Sequence, residues 1–384
     1  MRIINGTVFC EDNHFHNGCI DIKEGIITDI YADTASLPEA DGDIVDAQGA
    51  YVIPGLIDLH FHGALGYDIC DKTKAAFEKI AAFELSQGVT TICPATMTLP
   101  EKELCAVLAC GSAFAEETRE SVSCAELCGF NMEGPFISPK KKGAQNEKYI
   151  KKADIQTAER FIEAAGGLLK ILGLAPEESP DFESFIGALK GRVRISLAHT
   201  NADYDTAARA ISAGVTHAVH LYNAMSPFSH RDPGVVNAVF DSENVNAELI
   251  CDGIHLHQSA VRTAFRELSA ERIVLISDSL RAAGMPDGLY ELGGQQVKKT
   301  GNLCTLAESG TIAGSVSSLY DCMVNTVKKM EIPLETAVRC ASLNPARILG
   351  LSHLGELSAG KQADLLLIDR ELCLKRIFKR GCSV

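Results

Sequence analysis

Histidines and carboxylates recur at the ends of short apolar runs in this sequence, and that placement suits a divalent cation. His60 and His62 stand two apart in Leu59-His60-Phe61-His62. Residues two apart on a strand point the same way, so both imidazoles can reach one ion. Glu133 closes the run Asn131-Met132-Glu133, His199 closes Leu197-Ala198-His199, His220 falls in the next run, and Asp278 closes Leu275-Ile276-Ser277-Asp278. Each alone reads as a hydrogen-bonded structural residue or a helix cap. Six at equivalent ends of five strands read as a metal centre. Nitrogen and oxygen donors without a thiolate suit zinc, iron or manganese in a reactive site better than a closed structural zinc. A cation so bound lowers the pKa of water and polarises a carbonyl oxygen.

Such residues need elements that bring them together. Apolar runs of strand length recur at 56–62, 89–95, 127–133, 168–174, 193–199, 216–221, 247–251 and 273–278. Amphipathic stretches at 74–87, 101–117, 153–165, 202–213 and 258–268 predict helices between several of them, with Asp203 placed to cap one. Strands this apolar, alternating with helices, predict a parallel sheet covered on both faces. Eight such units predict a (β/α)8 TIM-like barrel in an α/β protein; an open doubly wound sheet is the alternative. No GxGxxG follows the first run, which counts against dinucleotide binding. In a barrel, the six candidate ligands sit at strand C-termini, where barrel enzymes keep their sites. Residues 288–301 read as a Gly-rich hairpin insertion, and helices are expected at 315–330 and 334–349.

Both ends of the chain differ from the middle. Short strands at 2–8, 19–22 and 26–31, with turns at Asn5-Gly6, Glu24-Gly25 and Asp41-Gly42, are matched near the other end by 355–357 and 363–369. They predict one small β-sandwich domain built from 1–52 and 353–384, beside a barrel over 53–352. The 384 residues carry 36 Lys+Arg against 50 Asp+Glu, a net −14, which argues against nucleic acid or an anionic membrane as the main partner. A small anionic substrate remains compatible, since a few side chains and backbone N–H groups bind one phosphate. Fourteen scattered Cys without a CxxC pair read as small buried hydrophobes in a reducing compartment. No signal-peptide pattern opens the sequence and no apolar run approaches a membrane span, so the expected location is cytoplasmic.

The residues also carry a resemblance. Pro54-Gly55-Leu56-Ile57-Asp58-Leu59-His60-Phe61-His62-Gly63 resembles the opening strand of the amidohydrolase superfamily. Met132-Glu133-Gly134-Pro135-Phe136-Ile137-Ser138-Pro139-Lys140, His220-Leu221-Tyr222-Asn223-Ala224-Met225-Ser226-Pro227 and Cys251-Asp252-Gly253-Ile254-His255 are similar to the N-acetylglucosamine-6-phosphate deacetylase family. So are Leu275-Ile276-Ser277-Asp278-Ser279-Leu280-Arg281-Ala282 and Gly310-Thr311-Ile312-Ala313-Gly314-Ser315, in order over nearly the whole chain.

This resemblance implies a metal-dependent removal of acetate from an amino-sugar phosphate. Glu133, His199 and His220 match the main metal ligands, and His60 and His62 a second position that some members keep; one or two ions per chain follow, with Glu133 bridging. Asp278 matches the catalytic carboxylate. Asn223, Ala224, Arg231 and His255 match sugar-phosphate contacts, with Arg231 reaching the partner's site in a homodimer. Ala144, Asp252 and the loop Ile312-Ala313-Gly314 complete the implied substrate contacts. Some members carry His where this chain has Gln145, to polarise the acetyl carbonyl; Gln can donate a hydrogen bond there but carries no charge, which shifts that work to the metals. A relative acting on the galactosamine epimer is the alternative within the enzyme class, and a non-catalytic phosphosugar binder the alternative outside it; Asp278 speaks against the latter.

The other candidates read more plainly. His217 is expected to be structural and to face the helices. His230 belongs to the loop of Arg231, and His257 is placed to share the face of His255. His14, His16 and His353 fall in the terminal domain, and the basic run Lys140-Lys141-Lys142 is a solvated face beside the site that can also steer an anion.

Overall fold

The computed structural model describes residues 1–32, 39 and 42–384. The turn expected at Asp41-Gly42 includes Asp41, outside the described residues. Branched apolar residues form parallel strands at Leu56–Asp58, Val89–Ile92 with Ala95–Thr96, Glu126–Leu127 with Phe130–Met132, Leu169–Leu174, Arg194–Leu197, His217–Ala218, Asn246–Ile250 and Ile273–Ile276. Each pairs in parallel with the next. The last meets the first where the Asp278 N–H donates to the His60 carbonyl at 2.9 Å and the His62 N–H to the Ser279 carbonyl at 2.6 Å. A helix follows every strand: Lys74–Ser86, Glu101–Glu117, Ile155–Ala164, Phe182–Leu189, Tyr204–Ala213, Gly234–Asp241, Gln258–Leu268 and Leu319–Lys328. Asp203 caps the fifth, accepting the Thr206 N–H at 2.8 Å. The interior is filled by Ile57, Leu59, Cys93, Cys128, Ile171, Ile250, Val274 and Ile276, so two of the cysteines pack as the small hydrophobes expected of them.

Several strands end sooner than the apolar runs predict, and for one shared reason. His199, His220 and Asp278 have φ of +44°, +27° and +49°. This left-handed conformation is costly for residues with a Cβ. It breaks the ladder and turns each side chain toward the axis. His60 and His62 likewise lie beyond Leu56–Asp58 rather than on it. The helix expected at 334–349 is split into Leu334–Ala341 and Leu343–Leu349 by Ser342, whose φ and ψ of −134° and −72° are not helical. Pro345 follows in the first turn of the second piece, where a missing N–H costs little.

The insertion is larger than the expected hairpin. Gly288–Leu292, Gln295–Thr300 and Leu303–Leu306 make a three-stranded antiparallel sheet. Its last strand holds the next loop: the Ala313 N–H donates to the Cys304 carbonyl at 3.1 Å.

Strands from both ends of the chain form one eight-stranded sheet that includes Arg2–Phe9, Tyr51–Pro54 and Leu365–Ile368. It encloses its own core of Ile3, Val8, Ile20, Ile27, Val52, Leu365 and Phe378. Residues 355–357, expected as a strand, are irregular. Tyr51–Pro54 runs through Gly55 directly into the first barrel strand, so close to the second that a Cβ on Gly55 would lie 2.2 Å from Thr90 Oγ1. Lys379, fully buried, pairs with Asp364 at 2.6 Å and lies 3.7 Å from Glu126 at the start of the third barrel strand. That buried charge, held by two carboxylates, fixes the sheet on the barrel's lower end. Among the described residues no helix is long and apolar enough to cross a membrane.

Candidate metal and active site

The six residues at the strand ends meet. His199 Nε2 lies 2.5 Å and His220 Nε2 2.8 Å from Glu133 Oε1, and the two nitrogens are 3.2 Å apart. His62 Nε2 is 3.6 Å from Glu133 Oε2 and 3.2 Å from Asp278 Oδ1. His60 Nε2 is 3.8 Å from both carboxylates. Two trios result, His60/His62/Glu133 and Glu133/His199/His220, each with its donor atoms within 4.8 Å of one another and all buried.

Every imidazole is held from behind. Nδ1 of His62, His199 and His220 faces the carbonyls of Ala95, Lys141 and Asn223 at 3.0, 2.8 and 3.1 Å. A carbonyl only accepts, so those Nδ1 atoms carry a proton, and each Nε2 is the atom that would offer a lone pair to a cation displacing its own proton. His60 differs, for its Nδ1 meets the carboxylate of Glu248 at 2.7 Å. Its Nε2 is buried with no hydrogen-bond partner. Converging Nε2 atoms, two carboxylates and an orphaned imidazole nitrogen fit a divalent cation bound by nitrogen and oxygen, the donor set of zinc, iron or manganese.

The same contacts set the charges. Burial pushes the Glu133 carboxyl up, but His199 and His220 hold it well below its ordinary value. Burial raises Asp278 too, and the His62 hydrogen bond with the His60 and His62 charges brings it lower than usual. Burial disfavours a charged His60, yet Glu248 lifts the imidazole to about 10, while His60 and His217 lower Glu248 to about 2 against the burial that raises it. Both central carboxylates are therefore ionised at neutral pH.

Above the cluster opens a cavity of about 440 Å³ lined by Lys140, Lys141, Gly143, Ala144, Gln145, Asn223, Ala224, His255 and Thr311–Gly314, with His62, Glu133, His199, His220 and Asp278 at its floor. Most of the expected substrate contacts thus share one wall system. Gln145 has partners of its own there, and two others, Asp252 and Arg231, are not part of the lining. The Gln145 amide NH2 donates to Glu133 and its oxygen accepts the Thr98 N–H at 2.6 Å, so one of its two N–H groups orients the Glu133 carboxylate. Asp252 accepts from the Ile254 and His255 N–H groups and from His255 Nδ1 at 2.8 Å; it aims His255 and does not line the cavity. Arg231 sits on the exposed loop 227–232, away from the cavity of its own chain. His257 caps the seventh helix by accepting the Ser259 N–H. His217, expected to face the helices, points into the barrel, where its Nε2 meets Glu248 at 2.8 Å. Glu248 itself escaped the sequence reading. Its signal was a lone acid inside the apolar run Ala247-Glu248-Leu249-Ile250, a position where an unpaired carboxylate is rarely tolerated.

Comparison with known proteins follows the same line. Residues 51–384 match the model of the amidohydrolase family. N-acetylglucosamine-6-phosphate deacetylase of Bacillus subtilis is 33% identical over 366 residues, covering 95% of this chain and 92% of that protein. N-acetylgalactosamine-6-phosphate deacetylase of Escherichia coli O157:H7 is 32% identical over 361 residues, 94% of this chain and 93% of its own. Among solved structures, a variant of Mycobacterium smegmatis N-acetyl-D-glucosamine-6-phosphate deacetylase in complex with N-acetyl-D-glucosamine 6-phosphate superposes with a TM-score of 0.91 at 28% identity, covering 100% of this chain and 98% of that one.

Proposed function

Since the chain belongs to the amidohydrolase family, we propose that its barrel mouth hydrolyses the acetamide of N-acetylglucosamine 6-phosphate to glucosamine 6-phosphate and acetate. The observation that carries this reading is the meeting of two His/Glu trios with the carboxylate of Asp278 on the floor of one cavity. The curated relatives act on this class of substrate by name. The galactosamine relative is nearly as similar, and the two sugars differ in one hydroxyl.

His60, His62, Glu133, His199 and His220 would hold one or two divalent cations, with zinc, iron and manganese all compatible, and Asp278 reaches the same centre. A cation bound there supplies the Lewis acidity that lowers the pKa of water and polarises the acetamide carbonyl. Asp278 takes the proton of the attacking water and returns it to the departing amine nitrogen, which leaves neutral. Gln145 keeps Glu133 in place. His255, set by Asp252, and the Asn223 amide with the Ala224 backbone bind the phosphate end. Ile312, Ala313 and Gly314 line the sugar and, with the insertion sheet behind them, limit water at the reacting carbon.

The reading extends to the assembly. The chain acts in the cytoplasm, in keeping with fourteen cysteines of which none is disulfide-bonded. Residues 1–52 and 353–384 form a β-sandwich-type support for a (β/α)8 barrel over 53–352. Arg231, on its exposed loop, serves the partner's cavity in a homodimer. Arg231→Ala is then expected to raise KM for the phosphorylated sugar about 10-fold or more, the value of a charge-assisted hydrogen bond, with kcat little changed. Equal loss on unphosphorylated N-acetylglucosamine would remove Arg231 from the phosphate.

Acetate release from the purified protein, with metal analysis of the same sample, tests the whole reading. N-acetylglucosamine 6-phosphate is expected to be the best substrate of a panel that includes its galactosamine epimer. Equal or faster turnover of the epimer overturns the sugar assignment, and no acetate from either overturns the activity.

A further inference from the structure

Beneath the cluster lies a second polar layer that the reaction does not touch. Glu248, fully buried, receives four donors. His60 Nδ1 approaches Oε2 at 2.7 Å, His217 Nε2 approaches Oε1 at 2.8 Å, the His220 N–H reaches Oε2 at 3.1 Å, and the Asn131 amide reaches Oε1 at 3.3 Å. A carboxyl ringed by donors must be the acceptor-only carboxylate. A buried carboxylate needs a compensating positive charge. Its contacts are two imidazoles, an amide and a backbone N–H. His60 links it to the centre above through an Nε2 that has no hydrogen-bond partner, whereas His220 reaches it only through its backbone N–H.

From this we infer that Glu248 is a positioning residue that makes His60 the strongest imidazole donor of the centre and thereby secures a cation at the His60/His62/Glu133 position. His62, His199 and His220 are backed by neutral carbonyls, whereas His60 is backed by a full negative charge. A carboxylate accepting the Nδ1 proton shifts electron density to Nε2 and fixes both tautomer and ring orientation. His217 holds the other oxygen of Glu248 and Asn131 braces the pair, its amide also reaching the Leu59 carbonyl at 3.1 Å. The layer thus biases one of the two positions, and this rests on the metal reading above.

The test is zinc binding by metal-free protein, titrated against a chromophoric chelator, with zinc per chain counted independently. Wild type is expected to take up two ions. Glu248→Gln keeps the shape and removes the charge. It should weaken one ion about 10- to 100-fold, the usual effect of losing such a partner, and leave the other unchanged. In a His60→Ala background the same substitution should change zinc binding no further, whereas a merely structural role would lower it again. Glu248→Asp keeps the charge at a shorter reach and should lose less; it carries the comparison if the Gln variant does not fold. Wild-type zinc affinity in Glu248→Gln, or equal weakening of both ions, overturns the inference alone. A wild-type protein that binds no zinc, iron or manganese overturns the metal reading beneath it.

Discussion

Asp278→Asn should bind N-acetylglucosamine 6-phosphate normally and turn it over at least about 10²-fold more slowly, the usual size of a general acid–base contribution. The amide matches the carboxylate in shape, so the cavity floor and its φ of +49° are kept. What is lost is the proton acceptor 3.2 Å from His62 Nε2. A neutral amide neither takes the proton of the attacking water nor delivers one to the amine. The measurement is kcat beside calorimetric binding of the substrate to the same preparation. Near-normal kcat would remove Asp278 from the chemistry, and lost binding with normal kcat would recast it as a substrate contact.

Glu133→Gln should be at least as damaging, because both trios share this carboxylate. Its Oε1 faces His199 and His220 and lies 3.8 Å from His60 Nε2, while Oε2 faces His62 and the Gln145 amide. In Gln one oxygen becomes an NH2, which at the Oε2 end faces the Gln145 NH2, a second donor, and at the Oε1 end takes a lone pair away from the centre shared with His199 and His220. Zinc content is expected to drop below one ion per chain. Turnover should fall about 10³-fold or more, since Lewis-acid stabilisation is worth several kcal/mol and about 1.4 kcal/mol is tenfold in rate. Metal analysis and circular dichroism on one sample separate this from unfolding. Two retained ions would show that Glu133 does not bridge.

The alternation of parallel strands and helices was legible because the strands bury both faces and the longer helices keep an apolar stripe, two patterns that survive in sequence alone. The helices at Glu101–Glu117 and Gln258–Leu268 coincide with their amphipathic stretches. Phe182–Leu189 and Gly234–Asp241 span barely two turns, too short to display a period. The candidate ligands stood out by their place after each run. How they turn inward did not, since nothing in the identity of His199, His220 or Asp278 announces a left-handed backbone. The partners of Gln145 and Asp252 were not legible: Gln145 bonds Glu133 and the Thr98 N–H, and Asp252 bonds the His255 ring and two backbone N–H groups. Glu248 is a further case, a residue whose strand was foreseen while its partners, His60 and His217, came from distant parts of the sequence. The third strand of the insertion, Leu303–Leu306, lay just past the Gly-rich stretch that marked the hairpin.

The strand that feeds the barrel, Tyr51–Pro54, takes Leu365–Ile368 as its antiparallel neighbour. On the ribosome these segments appear at opposite ends of translation. At about 5–20 residues per second, the earlier one waits on the order of tens of seconds for the later. Throughout that interval its edge is open to any other strand, and the nascent barrel has no fixed lower end. Chaperone occupancy during synthesis should therefore concentrate on this edge and end only when Leu365–Ile368 leaves the exit tunnel.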